Sequence, residues 1–128
     1  MQTEIIPQYP VSNGGTVTAA ISTAATLTLA APGTGVFIYL HHLEITMFAG
    51  AVLTAAATPV LVTSTALPGG PVWSMSASAM AQGTIENRFY DFGWPGIKAT
   101  TANTAVTIVA PLVTSVIWRI NAFYSISQ

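Results

Sequence analysis

Polar and apolar residues alternate with a period of two over much of this chain. Thr16-Val17-Thr18-Ala19 and Thr26-Leu27-Thr28-Leu29 place aliphatic side chains on one face and threonine hydroxyls on the other, the signature of a half-buried strand. Longer β-rich runs follow at 36–48, 59–65, 84–92, 104–110 and 115–124. Turn clusters separate them: Ser12-Asn13-Gly14-Gly15, Pro32-Gly33-Thr34-Gly35, Leu67-Pro68-Gly69-Gly70-Pro71 and Gly93-Trp94-Pro95-Gly96. Short strands punctuated in this way predict an all-β fold, a compact antiparallel β-sandwich or jelly roll. Residues 1–15 read as an extended N-terminal arm and 16–128 as a single β-sandwich domain.

One segment departs from the pattern. Ser76 to Gln82 is rich in Ala and Met and ends at Gly83, so the fold is expected to hold at most one short helical turn, there. Ala51 to Ala57 is also Ala-rich, but Thr54, Thr58 and Pro59 make it a loop or distorted strand. The chain echoes itself faintly: 28–32 followed by 36–38 resembles 107–111 followed by 116–118, each a strand, a Pro-containing turn and a long strand. Two hairpins sharing turn chemistry explain this, and both long strands are expected to be central.

Those long strands are apolar on both faces. In the last, Val116, Trp118, Ile120, Ala122 and Tyr124 share one side, with Ile117, Arg119, Asn121 and Phe123 opposite. In the earlier one, Val36, Ile38 and Leu40 share a side, with Phe37, Tyr39, Leu43, Ile45 and Met47 opposite. A strand facing solvent on one side alternates more cleanly, so the second face needs a cover, either a second layer or a neighbouring subunit. A single β-bulge near His42 would exchange the faces beyond it.

Composition bears on that choice. Only 5% of the 128 residues are charged, against roughly 25% in an ordinary soluble domain. Interface centres are depleted in charge, which favours an obligate homo-oligomer. Phe37, Tyr39, Leu43, Ile117, Arg119 and Phe123 are the expected subunit interface. The same composition excludes charge-driven disorder and coiled coils. Three Lys+Arg and a net charge of −1 argue against nucleic acid as a partner. No cysteine is present, so neither disulfides nor thiolate sites arise. The N-terminus shows no secretory pattern. The charge-free stretch 46–85 is broken by Pro59, Pro68 and Pro71, so a membrane-spanning helix is not expected.

Candidate chemistry is sparse. In His41-His42-Leu43-Glu44, strand alternation aims His42 and Glu44 one way and His41 the other, leaving two ligands where a metal needs three or four. Glu86, Arg88 and Asp91 sit among Phe89, Tyr90, Phe92 and Trp94, either as a solvated edge or as a contact that fixes a partner's register. No Gly-x-Ser-x-Gly elbow and no Lys-bearing phosphate loop occurs. Neither catalysis, a cofactor nor a small-molecule substrate is expected.

The stretches 53–69 and 101–111, with the strand 116–124 that follows, resemble small virion proteins of tailed bacteriophages, the decoration or cement proteins. The similarity spans about 36–124. It implies a β-sandwich or jelly-roll homotrimer on the outer surface of the capsid, where it clamps adjacent capsomers of the major capsid protein. Under that reading the capsid contact falls on Ile5, Ile6 and Tyr9 of the extended arm and on Glu86, Arg88, Tyr90 and Trp94. The competing reading is a trimeric receptor- or glycan-binding tip of a virion fibre.

Overall fold

The computed structural model describes residues 13–128. Nine strands run in the order β1 (Asn13–Thr18), β2 (Ala25–Leu29), β3 (Phe37–Ala49), β4 (Val60–Ser64), β5 (Trp73–Met75), β6 (Ile85–Asp91), β7 (Ile97–Lys98), β8 (Val106–Ala110) and β9 (Val116–Ser127). All pairings are antiparallel. One sheet has the order β1-β9-β3-β6, with β7 beside β3, and the other has the order β2-β8-β4-β5.

Chain order explains the architecture. β1 to β2, β2 to β3, β3 to β4, β5 to β6, β7 to β8 and β8 to β9 all cross from one sheet to the other. With the short β7 set aside, this is the eight-stranded, double-sheet connectivity of a jelly roll. The seven strands expected from alternation all form. Trp73–Met75 and Ile97–Lys98 were too short, and too near Pro and Gly, to carry a period.

The core lies between the sheets. β9 contributes Val116, Trp118, Ile120 and Ala122, and the facing sheet contributes Leu27, Leu29, Val62, Val106 and Ile108, all buried. The Trp118 ring is fully buried, and its indole N–H donates to the Pro111 carbonyl at 2.8 Å, so burial leaves no unpaired donor.

Four expectations are revised. The β2–β3 and β8–β9 units are not hairpins but arches between sheets. The echo survives as geometry, because β2 pairs with β8 and β3 with β9, and Thr28 stands opposite Thr107. Ser76 to Gln82 forms no helix. Leu53 and Met80 exchange two backbone hydrogen bonds, and the Ala56 N–H donates to Ala77, which draws the segment into a strand-like pairing. Asn13-Gly14-Gly15 is no turn but the start of β1, paired with Tyr124, Phe123 and Ala122, so the sheet begins inside the expected arm. Gly15 serves close packing, since a Cβ there would stand 3.1 Å from Leu29.

The fourth revision concerns the faces of β3. Its pairing with β9 slips between Leu40 and His42, leaving His41 as a bulge. Ile38 and Leu40 before it, and Leu43, Ile45, Met47 and Ala49 after it, therefore all face the core. Leu43 is fully buried under the chain's own second sheet and is withdrawn from the expected subunit interface. Tyr39 is withdrawn too. It stays on the outer side, but only 7% of it is exposed.

Candidate interaction surface

The outer face of the β1-β9-β3-β6 sheet follows from the register. His42 stands between Phe123 of β9 and Asp91 of β6, Glu44 between Asn121 and Phe89, and Thr46 between Arg119 and Asn87. Phe48 stands between Ile117 and Ile85. Strands about 4.8 Å apart bring these side chains into contact.

The aromatic part centres on His42. Its ring lies 5.6 Å from that of Phe89, tilted, and 6.2 Å from that of Phe123, edge-on. Phe89 is 59% exposed and Phe123 45%. Gly14 of β1 pairs with Phe123, so that ring lies beside a position without a side chain. His42 Nδ1 is buried without a hydrogen-bond partner, 3.7 Å from the Asp91 carboxylate.

The polar part is a ladder across three strands. Asn121 Nδ2 donates to Glu44 Oε1 at 2.9 Å, Asn87 Nδ2 donates to Glu44 Oε2 at 3.3 Å, and the Thr46 hydroxyl donates to Asn87 Oδ1 at 3.1 Å. Both Glu44 oxygens thus have amide donors, which keeps a half-buried carboxylate satisfied.

The β6–β7 turn covers one end of the face. Trp94 stacks on the bulged His41 with ring centroids 5.2 Å apart and is itself 48% exposed. Beneath it His41 is buried, its Nε2 2.7 Å from the Ser125 hydroxyl. The Asp91 carboxylate accepts from the Gly93 N–H at 2.8 Å and shapes the turn. Desolvation holds the His41 pKa below its ordinary value, and the neighbouring His42 adds to this. A backbone hydrogen bond with Gly93 and the Asp91 charge oppose it without cancelling it.

The remaining expected residues divide among several settings. Phe37 is half-buried beneath the Lys98 ammonium, which sits 4.1 Å from its ring centroid. Ile117 is half-buried and Arg119 exposed on the same outer face. Glu86, Arg88 and Tyr90 point to the other side of β6. Arg88 donates through Nε and Nη2 to one Glu86 oxygen, which raises the guanidinium pKa further, and the other oxygen accepts from the Ser76 N–H. Tyr90 packs against Trp73 and Phe92 at the flank of the core. These three tie β6 to the β5 side of the sandwich, away from Phe89 and Trp94, so they share no face with them. Ile5, Ile6 and Tyr9 lie outside the described residues.

Sequence reasoning missed the His41–Ser125–Trp94 cluster. The bulge hides it, because alternation aims His41 away from a turn that in fact closes over it. Among the described residues no three His, Asp or Glu side chains converge as a metal site would require. What the face offers chemically is stacking, edge-on aromatic contact and a few fixed hydrogen-bonding groups, all suited to recognition.

Every charged side chain among the described residues lies on β3, β6, β7 or β9, all in this sheet. The opposite sheet turns Thr26, Thr28, Thr63 and Thr107 outward, and the Thr65 and Thr107 hydroxyls share a hydrogen bond at 2.6 Å. One sheet therefore carries the charges and, on its outer face, the exposed rings, and the outer face of the other is rich in threonine hydroxyls. Comparison with protein-family models, curated proteins and solved structures finds no match for this chain.

Proposed function

We propose that this chain is a structural virion protein of the capsid-decoration kind, which binds the outer surface of a shell and clamps adjacent capsomers without catalysis. The observation that carries the reading is the exposed aromatic pair Phe89 and Phe123 around His42, with the exposed Trp94 stacked on the neighbouring His41, set on a two-sheet scaffold. Aromatic anchors are what dominate the energetics of protein interfaces. The likeness of 53–69, 101–111 and 116–124 to phage decoration proteins supports the same reading. The fold by itself selects nothing, because jelly rolls serve capsids and lectins alike.

The mechanism is thermodynamic. Each exposed ring removed from water contributes roughly 25 cal/mol per Å² of apolar area, less the cost of association. Repetition over a lattice multiplies a modest contact if neighbouring contacts form together. The chain acts as a homo-oligomer, a trimer in the reading carried by the resemblance, with the major capsid protein as partner.

The test is particle stability. Shells of the source virus prepared with the chain should carry it at fixed stoichiometry and disrupt at a higher temperature than shells without it. Equal disruption temperatures, with the chain binding host cells or glycans instead, would establish the receptor-binding alternative.

A further inference from the structure

β6 is an open edge of its sheet, paired with β3 on one side. The Phe92 N–H donates to the His41 carbonyl at 2.9 Å, and the Thr84 carbonyl accepts from the Ala49 N–H at 2.9 Å. Alternation between these two bonds turns the N–H and C=O groups of Glu86, Arg88 and Tyr90 toward β3 and those of Ile85, Asn87, Phe89 and Asp91 outward. No described residue bonds to the outward backbone groups.

Proteins blunt such an edge with a short strand, proline or lysine. The edges of the other sheet follow this rule, with three residues in β5 and five in β2. β6 has seven, and neither Pro nor Lys is among them. Its side chains divide by the same alternation. Ile85 and Phe89 stand on the outer face, each 59% exposed. Glu86 and Arg88 stand on the other face, with opposite charges two residues apart.

We propose that β6 is a self-pairing edge: two copies join their β6 strands antiparallel about a two-fold axis at Asn87, and the sheet continues from one copy into the other. The strand itself selects the register. Outward backbone groups must meet outward backbone groups, so the axis falls on a residue and not between two. On Glu86 or Arg88 it would set like charges directly opposite each other, which is destabilising. On Ile85 or Phe89 it would carry the pairing past the Gly83 bulge, where Gly83 and Thr84 both bond Ala49, or into the turn at Gly93. On Asn87 it sets Glu86 of each copy against Arg88 of the other, and Ile85 against Phe89. Asn87 then meets its own counterpart. Charge complementarity and hydrogen-bond parity thus agree on one register, and both identify the occupant as a second copy. Arg88 spends Nε and Nη2 on its own Glu86, and a guanidinium has five N–H donors with which to reach a second carboxylate. This two-fold contact stands without the capsid reading and is separate from any threefold one; the two together would give six copies.

The experiment is light scattering on the full chain, on Glu86→Arg, on Arg88→Glu and on an equimolar mixture of these two variants, with circular dichroism melts to confirm folding. The wild type should hold an even number of copies, two at its simplest. Each variant alone should show half the wild-type mass, its dissociation constant raised at least about 30-fold by like charges across the axis. The mixture should regain the wild-type mass. Within each variant chain positions 86 and 88 carry like charges, so mixing restores only the pairs between chains, and a purely intrachain role for Glu86 and Arg88 gives no recovery. A monomeric or trimeric wild type at its highest soluble concentration overturns the inference. So does an assembly that both variants retain, or a mixture that stays at half mass. If either charge variant unfolds, Asn87→Pro decides. Its missing N–H is one that points outward, so the β3 pairing survives, and a folded Asn87→Pro chain of full wild-type mass overturns the inference, whereas half that mass supports it.

Discussion

Single residues fix two local features that alternation could not supply. Gly96 has φ +89°, and a Cβ there would run into the Leu40 carbonyl. Strain and overlap act together, so Gly96→Ala should lower stability by about 2–4 kcal/mol, read from denaturant melts. Gly33→Ala is the control, since its φ of +122° is also strained but its Cβ would meet nothing within 4 Å. His41 supplies the second feature. Folded, its imidazole binds a proton less readily than in the unfolded chain, because burial penalises the charged form. Its contribution is therefore fully present above the ordinary imidazole pKa of about 6.5 and is lost as pH falls below it. Melting temperature should drop between pH 7 and pH 5, and His41→Gln should drop less over the same interval. Parallel pH profiles for the two proteins would show that His41 does not couple protonation to folding.

At the scale of elements, the bulge in β3 decides what the long strand does. Strict alternation splits Ile38 and Leu40 from Leu43, Ile45 and Met47. One extra residue at His41 puts all five into the core, and the second apolar face shrinks to Phe37, Tyr39 and Phe48. Much of the apolar surface that called for an external cover on β3 is thus core seen through a register slip. β9 has no such slip, and there the core face Val116, Trp118, Ile120 and Ala122 was legible residue by residue. Strand positions were legible because side-chain period is local. Which sheet each strand joins was not, because arches and hairpins can share the same Pro and Gly turns, and only tertiary packing separates them. Leu43→Ala should accordingly cost about 2–5 kcal/mol, like other large-to-small core changes. Phe89→Ala, on the exposed face, should change stability by no more than about 0.5 kcal/mol. A small loss at Leu43 would place it outside the core.

For the whole molecule, the low charge fraction acquires a location. The described charges all belong to one sheet, and several are already engaged: Glu44 by two amides, Glu86 by Arg88, and Lys98 over Phe37. Under the proposed decoration role, the outer face can therefore recruit little long-range attraction, and binding to a shell should rest on the rings. Salt screens exposed charges separated by more than a Debye length, about 8 Å at physiological ionic strength, whereas apolar burial does not depend on it and is favoured by excluded salts. In co-sedimentation with shells, raising sodium chloride from low to high concentration should weaken binding by less than about threefold, the range of a minor screened rim contact. Phe89→Ala combined with Phe123→Ala should weaken it more than about tenfold, as the loss of aromatic anchors does. A steep fall with salt, with the double variant unaffected, would move the contact from the rings to the few free charges and overturn the role assigned to this face.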